Sequence, residues 1–317
     1  MPRLFLAVAM VLGALQGIPR ASVEVTDDAG RIVRLEAPAR RVVALYGAFA
    51  ETLLALGGRD RLVARTSADV QPDIADLPSI GTHMRPDPER VLACRPDLVL
   101  QLAGRHEALQ QSESLRRLGL VIAVFSLDGF EDLFRVTRHI GTLCGLDAAA
   151  KDLVAAWEHR LEALRSRRGN TPAVSVFYEV RYPNLLAAGT KGIVHEIIEA
   201  GGGRNVVETP RKLVRLGEEA LIDMDPDVYI LQKGPMNPDP VPLGLRPHFR
   251  GLAAVKTGRV FEVEEAVFAR PGPHSLDAAE RLEGMLHGVP QRKGEENPPS
   301  RKGSPPPGDG RMPEGRP

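Results

Sequence analysis

Short apolar runs, separated by polar stretches of helical periodicity, organise the chain. "RVVALY" (41–46), "RLVART" (61–66), "DLVLQL" (97–102) and "VIAVFS" (121–126) form a first set; "AVSVFYEV" (173–180), "DVYILQ" (227–232) and "RVFEVEEAVF" (259–268) form a second. Such runs, bounded by turn residues, suit strands buried on both faces. The stretches between them stop at Gly or Pro, as helices do. The alternation predicts an α/β fold with mostly parallel sheets.

Between the two sets lies "DAAAKDLVAAWEHRLEALRSRR" (147–168), which brings Ala150, Leu153, Val154, Trp157, Leu161 and Leu164 to helical spacing. No Gly or Pro interrupts it before Gly169. About 22 helical residues span roughly 33 Å, more than an ordinary crossover needs. The stretch therefore reads as one long rigid helix (146–169) joining an N-terminal lobe (22–145) to a C-terminal lobe (170–287).

The lobes share a skeleton. "ETLLALGGRD" (51–60) and "EIIEAGGGRN" (196–205) align Glu51 with Glu196, Gly57–Gly58 with Gly202–Gly203 and Arg59 with Arg204. Next in order come "ERVLACRPDLVL" (89–100) and "EALIDMDPDVYI" (219–230). Both read Glu, two residues, an aliphatic, three residues, then Pro-Asp and a strand. Two matches in the same order indicate a duplicated unit, one per lobe. Asp87–Pro88 forms an N-cap and N1 pair that puts Glu89 in a first helical turn. Pro96 and Pro226 end the two helices, because the residue before Pro is driven out of the right-handed α region. One such glutamate needs no explanation beyond the helix dipole. Equivalent carboxylates on duplicated lobes suit a two-fold symmetric partner.

The ends and the charge narrow the class. Arg3 precedes the apolar run "LFLAVAMVLGAL", the pattern of a signal peptide over 1–21 and too short to span a bilayer comfortably. Neither Cys94 nor Cys144 follows that leader, so a soluble exported product without a lipid anchor is expected. The two cysteines either pair or stay as buried thiols, and spacing does not decide between them. From Gly288 onward Pro, Gly and charge dominate, the composition of a disordered tail over 288–317. Lys plus Arg and Asp plus Glu balance at 41 each, so nothing favours nucleic acid or an anionic membrane.

On these motifs, together with "VVALYGAFAETLLALGG", "IGTHMRPDPERVL" and "AGGGRNVV", the chain resembles the periplasmic substrate-binding proteins of ABC importers for vitamin B12, ferric siderophores and haem. The resemblance covers about 23 to 287 and leaves out the tail. It implies two Rossmann-like lobes with a ligand between them, no chemistry and no cofactor. It also implies a monomer that delivers its cargo to a permease dimer and its ATPase subunits. One glutamate per lobe salt-bridges to permease arginines in that family, and Glu89 and Glu219 match those positions.

Ligands of such sheets sit beyond the carboxyl ends of the strands. Tyr46, Tyr178 and Tyr182 fall at strand ends, and Arg85, Arg181 and Arg270 suit the carboxylates or phosphate of a chelate. Met84 and His83 are candidate axial ligands of haem iron. Haem-binding members that use a methionine there bring a histidine from the second lobe, near "KGPM", where Gly234 and Pro235 stand here. A ferric siderophore or a cobalamin-type corrinoid is therefore expected ahead of haem. A receptor for bare zinc or manganese is the nearer rival, and a chelatase-like enzyme the more distant one. No G-x-S-x-G, P-loop or H-E-x-x-H motif occurs, and "HEIIE" lacks the second histidine.

Overall fold

The structure is a computed structural model that describes residues 22–104, 106–168 and 172–288. The leader over 1–21 and the tail from 289 lie outside the described residues, as does Arg105. Strands β1 (Val23–Thr26) and β2 (Ile32–Leu35) open it as an antiparallel hairpin. The first lobe then runs β3 (Val42–Ala44), α1 (Gly47–Ala55), β4 (Leu62–Ala64), α2 (Pro88–Ala93), β5 (Leu98–Leu102), α3 (His106–Arg117), β6 (Ile122–Phe125) and α4 (Phe130–Cys144). Its sheet, in the order β4-β3-β5-β6, is parallel throughout.

Helix α5 (Asp147–Arg168) stands in sequence between the two larger sheets. Ala150, Val154, Trp157, Leu161 and Leu164 are buried and Leu153 is half-buried, as the helical spacing requires. The second lobe follows as β7 (Val174–Arg181), β8 (Leu186–Ala188), α6 (Ile193–Ala200), β9 (Gly203–Asn205), β10 (Leu213–Arg215), α7 (Glu218–Met224), β11 (Val228–Lys233), α8 (Ala253–Lys256), β12 (Val260–Glu264), α9 (Glu265–Phe268) and α10 (Ser275–His287). In the order β10-β8-β7-β11-β12, with β9 on β7, this sheet is parallel at β7, β9, β11 and β12 and antiparallel at β8 and β10. The expected strand over 259–268 stops at Glu264, where one turn of helix carries Phe268 into the core.

Helix α5 ties the lobes together from one side. Trp157 stacks on Phe134 of α4 at 6.1 Å, and Arg160 reaches Asp277 and Glu280 of α10 at 2.6 and 2.8 Å. One apolar core runs from the first sheet through α4 and α5 to α6, α10 and the second sheet, and the outer face of each sheet has a smaller core of its own.

The duplication extends to register. Val42 pairs with Leu98 in one lobe, and Val176 with Val228 in the other. Asp97 accepts the Arg40 and Arg41 N–H groups at 2.8 and 2.9 Å, and Asp227 accepts the Ser175 N–H at 3.1 Å. Each aspartate thus fastens the start of one central strand to the next. Before the two prolines, Arg95 (φ 43°) and Asp225 (φ 35°) are both left-handed, so both helices end by the same backbone reversal. Cys94 and Cys144 are free thiols, and burial pushes Cys144 up to about 12. No helix among the described residues is long and apolar enough to cross a membrane.

Candidate ligand cleft and docking surface

Tyr46 lies two residues beyond β3 and is the N-cap residue of α1. It is half-buried, with its ring edge-on to Phe49 at 5.8 Å and to His83 at 6.2 Å. His83, Met84 and Arg85 occupy a turn closed by an antiparallel bridge between Gly81 and Pro86. Gly81 has φ +94°, and a Cβ there would lie 2.8 Å from the Arg85 carbonyl oxygen, so the turn requires glycine. His83, beside Tyr46, and the adjacent Met84 are half-buried, whereas Arg85 is exposed.

The turn leads straight into α2. Asp87 accepts the Glu89 and Arg90 N–H groups at 3.0 and 3.2 Å, the cap expected from Asp-Pro. Glu89 is thereby fixed as the second residue of α2, and Glu219 is the second residue of α7 behind its N-cap Gly217. Both side chains are exposed, and among the described residues neither carboxylate makes an ion pair or a hydrogen bond.

The second lobe corrects one expectation. Tyr178 is fully buried inside the core, and its hydroxyl donates to Gln232 Oε1 at 3.3 Å. Its place in the middle of β7, with both faces of the sheet covered, keeps it from the cleft. Arg181 closes β7, and its buried Nε has no hydrogen-bond partner among the described residues. Tyr182 is half-buried; it donates to Glu218 Oε1 at 3.0 Å and lies under the Arg246 guanidinium at 3.9 Å.

Arg270 crosses from the second lobe to the first. Its Nη1 is 3.5 Å from Glu51 Oε1 of α1, and a Cβ on Gly47, beside Tyr46, would lie 3.0 Å from it. The structure thus gathers Tyr46, His83 and Met84 in the first lobe, with Arg270 entering from the second. Tyr182 sits instead beside the start of α7.

Several charged groups around Arg270 escape a reading of the sequence. Burial raises the Glu51 carboxyl above its ordinary value, against the opposing charges of Arg270 and His274. Glu265 is raised by burial as well, again opposed by Arg270. Asp69 is 1% exposed and takes the Thr66 N–H and hydroxyl at 2.7 and 2.8 Å, while its other oxygen has no partner among the described residues. Arg270 Nη1 thus stands within 3.5 Å of Glu51, with Glu265 and Asp69 close by. Among the described residues no three His, Cys, Asp or Glu side chains group as a metal ion would require.

Two α/β sheets separated in sequence by the long helix α5, with most of their strands parallel, define the class of fold. The chain belongs to the periplasmic binding protein family, whose model matches residues 42–267. A cobalamin-binding protein of Halobacterium salinarum is 26% identical over 274 residues, 82% of this chain and 73% of that one. The apo periplasmic haem-binding protein RhuT of Roseiflexus sp. RS-1 superposes with a TM-score of 0.69 at 23% identity, covering 80% of this chain and 100% of that one. An ABC-type Fe3+-hydroxamate transport system protein of Saccharomonospora viridis gives a TM-score of 0.66 at 23% identity, covering 84% and 99%. At these identities the two structures support the fold alone.

Proposed function

We propose that the protein is the periplasmic substrate-binding component of an ABC importer, which captures a metal chelate or corrinoid between its lobes and delivers it to a membrane permease without chemistry. The observation that carries this reading is the pairing of Glu89 with Glu219. Each is the exposed second residue of a short helix, each helix ends in a left-handed residue followed by Pro-Asp, and each Asp ties adjacent strands. A receptor built this way presents one carboxylate from each lobe in equivalent settings, as two arginines of a symmetric permease dimer would require.

Between those glutamates, Tyr46 and Met84 supply a soft, polarizable wall, and Arg181 and Arg270 supply cationic contacts. Names among the relatives span cobalamin, haem and ferric hydroxamate, and this chain takes its cargo from that group. A ferric siderophore or corrinoid is favoured over haem, because the second lobe has Gly234–Pro235 where an axial histidine is expected.

Thermal unfolding of the protein with haemin, cyanocobalamin and ferrichrome, each in turn, tests the reading. A cargo at a hundredfold excess over its Kd adds about 2.7 kcal/mol, a visible rise in Tm. A rise with one compound supports the assignment and names the cargo. Stoichiometric zinc in the purified protein, with no rise for any chelate, would replace it by a bare-metal receptor.

A further inference from the structure

The second lobe contains a buried ion pair that the capture of cargo does not explain. Arg246 and Glu179 are 2% and 0% exposed at the side chain, and they meet through two parallel hydrogen bonds of 2.5 and 2.9 Å. Tyr229 of β11 donates to the same Glu179 oxygen at 2.5 Å. The remaining Arg246 donors hold the Val241 carbonyl, with Nη2 at 2.6 Å and Nε at 3.0 Å. Stability alone does not account for this arrangement, because a buried pair of this kind is commonly no better than apolar side chains of the same volume.

Geometry gives the pair a use. A guanidinium held at both ends is a fixed plate, and Tyr182 lies flat under it at 3.9 Å, with Phe249 against the same ring at 5.9 Å. The oriented ring then points its hydroxyl at Glu218, the first residue of α7 and the neighbour of the exposed Glu219. The Val241 carbonyl anchors the segment after β11, where Met236, Val241 and Leu245 stand exposed. One buried pair thus reaches the strand end of β7, the loop after β11 and the first turn of α7.

We infer that Arg246 is a positioning residue: clamped by Glu179, it fixes the ring of Tyr182, and Tyr182 through Glu218 sets the first turn of the helix that carries Glu219. This rests on the reading of the strand ends as the cargo cleft and of α7 as the docking helix. It adds a physical account of what orders the first turn of α7.

The test uses the full chain with ring-labelled tyrosine, whose four tyrosines give few enough NMR signals to assign by single Tyr→Phe changes. The variant Arg246→Met with Glu179→Met removes both charges, so neither is left buried and alone. It is expected to fold, to shift and broaden the Tyr182 signal while leaving Tyr46 in place, and to speed exchange at the hydrogen-bonded amides of α7 over 221–224 at least tenfold. A folded variant with the Tyr182 signal and that exchange both unchanged overturns the positioning role.

Glu218 supplies a second arm that does not disturb the core. Glu218→Ala is expected to speed exchange over 221–224 about tenfold, whereas Glu218→Gln, which keeps the acceptor, stays within twofold of the wild type. Equal behaviour of the two overturns the link to α7. Failure of haemin, cyanocobalamin and ferrichrome to raise the wild-type Tm counts against the functional reading alone, and the NMR and exchange results still decide the positioning.

Discussion

Glu51 and Glu196 hold the same place in the first helix of their lobes, and each reaches into the other lobe. Glu196 Oε2 accepts the Phe130 N–H at 2.6 Å, at the head of α4. Glu51 faces the approach to α10, its Oε2 3.3 Å from where a Cβ on Gly272 would stand, and it takes Arg270 Nη1 at 3.5 Å. Helices α4 and α10 are the last of their respective lobes, so the duplicated unit crosses over: the first helix of each lobe meets the head of the last helix of the other. A side chain on Gly129 would overlap the Glu196 carboxylate, so that contact requires glycine.

Burial raises both carboxyls, Glu51 and Glu196, above their ordinary value of 4.5. A carboxyl raised in the folded state favours folding while protonated, and that contribution fades as pH rises from 4.5 through the folded value. Substitution by Gln keeps an acceptor for the Phe130 N–H and removes the titration. The double variant Glu51→Gln with Glu196→Gln is therefore expected to gain stability relative to the wild type as pH rises above 4.5 through the raised folded values, where the wild-type carboxyls ionise. Urea unfolding at several pH values measures the difference. A difference that does not change with pH would contradict the crossed, buried arrangement.

Asp97 and Asp227 should behave as a matched pair. Each carboxylate takes backbone N–H groups from the start of the neighbouring strand, and Asp227 also takes the Ser175 hydroxyl at 2.6 Å. Hydrogen bonds to a charged group contribute about 1.5–3 kcal/mol, so alanine at either position should cost about that much. The Ser175 contacts hold the Asp227 carboxyl below its ordinary value of 3.8. Its contribution is therefore present above that value and lost as pH falls through the lower folded one. Chemical unfolding of the two single variants checks both magnitude and symmetry.

What the sequence made legible was local. Continuous apolar runs located β3, β5, β6, β7 and β11 to within a residue or two, because strands covered on both faces need no alternation. Asp87–Pro88 announced α2, and the spacing of Ala150, Val154, Trp157, Leu161 and Leu164 announced α5. The same double burial hid the fate of Tyr178: Phe177, Tyr178 and Glu179 are all fully buried, so the pattern offered no outward face to separate a cleft residue from a core one. Arg246 and Glu179 lie 67 positions apart, and Arg270 and Glu51 lie 219 apart. Nothing near either member marks its partner. The short antiparallel strands β8 and β10, three residues each, were too brief to stand out from the turns around them.

Trp157 tests how strongly α5 binds the lobes into one core. It is 4% exposed and sits on Phe134, whose ring stacks on Phe130 in turn. Removing a large buried aromatic costs about 3–5 kcal/mol. Trp157→Ala is expected to lower the unfolding free energy by that amount, in a single transition seen by circular dichroism. Two separated transitions would mean that the lobes melt independently and that α5 is a tether.

The cargo contact proposed for Arg270 depends most on the charge of the cargo. Losing charge-assisted contacts worth about 1.5–3 kcal/mol, Arg270→Met should weaken a carboxylate-bearing compound such as haemin about tenfold to a hundredfold. An uncharged chelate such as ferrichrome should lose much less. Equilibrium titration of both compounds separates an anion contact from a purely inter-lobe one, which would affect neither selectively.

The docking role proposed for Glu89 and Glu219 makes the sharpest demand, because a two-fold partner would read both lobes at once. Reversing one charge, Glu89→Arg or Glu219→Arg, leaves the other carboxylate able to hold its own side of the permease, so each single variant should retain reduced uptake. Reversing both sets two like charges against the partner's arginines, and such juxtapositions cost several kcal/mol. Uptake should then fall to background. Neither glutamate is bonded to its surroundings among the described residues, so the fold and the affinity for cargo should be unchanged in all three variants. Transport into vesicles carrying the cognate permease, measured beside cargo titration of the same preparations, tests the two expectations separately. Full uptake by the double variant would remove Glu89 and Glu219 from the docking surface. Lost uptake together with lost cargo affinity would instead place the defect in the receptor.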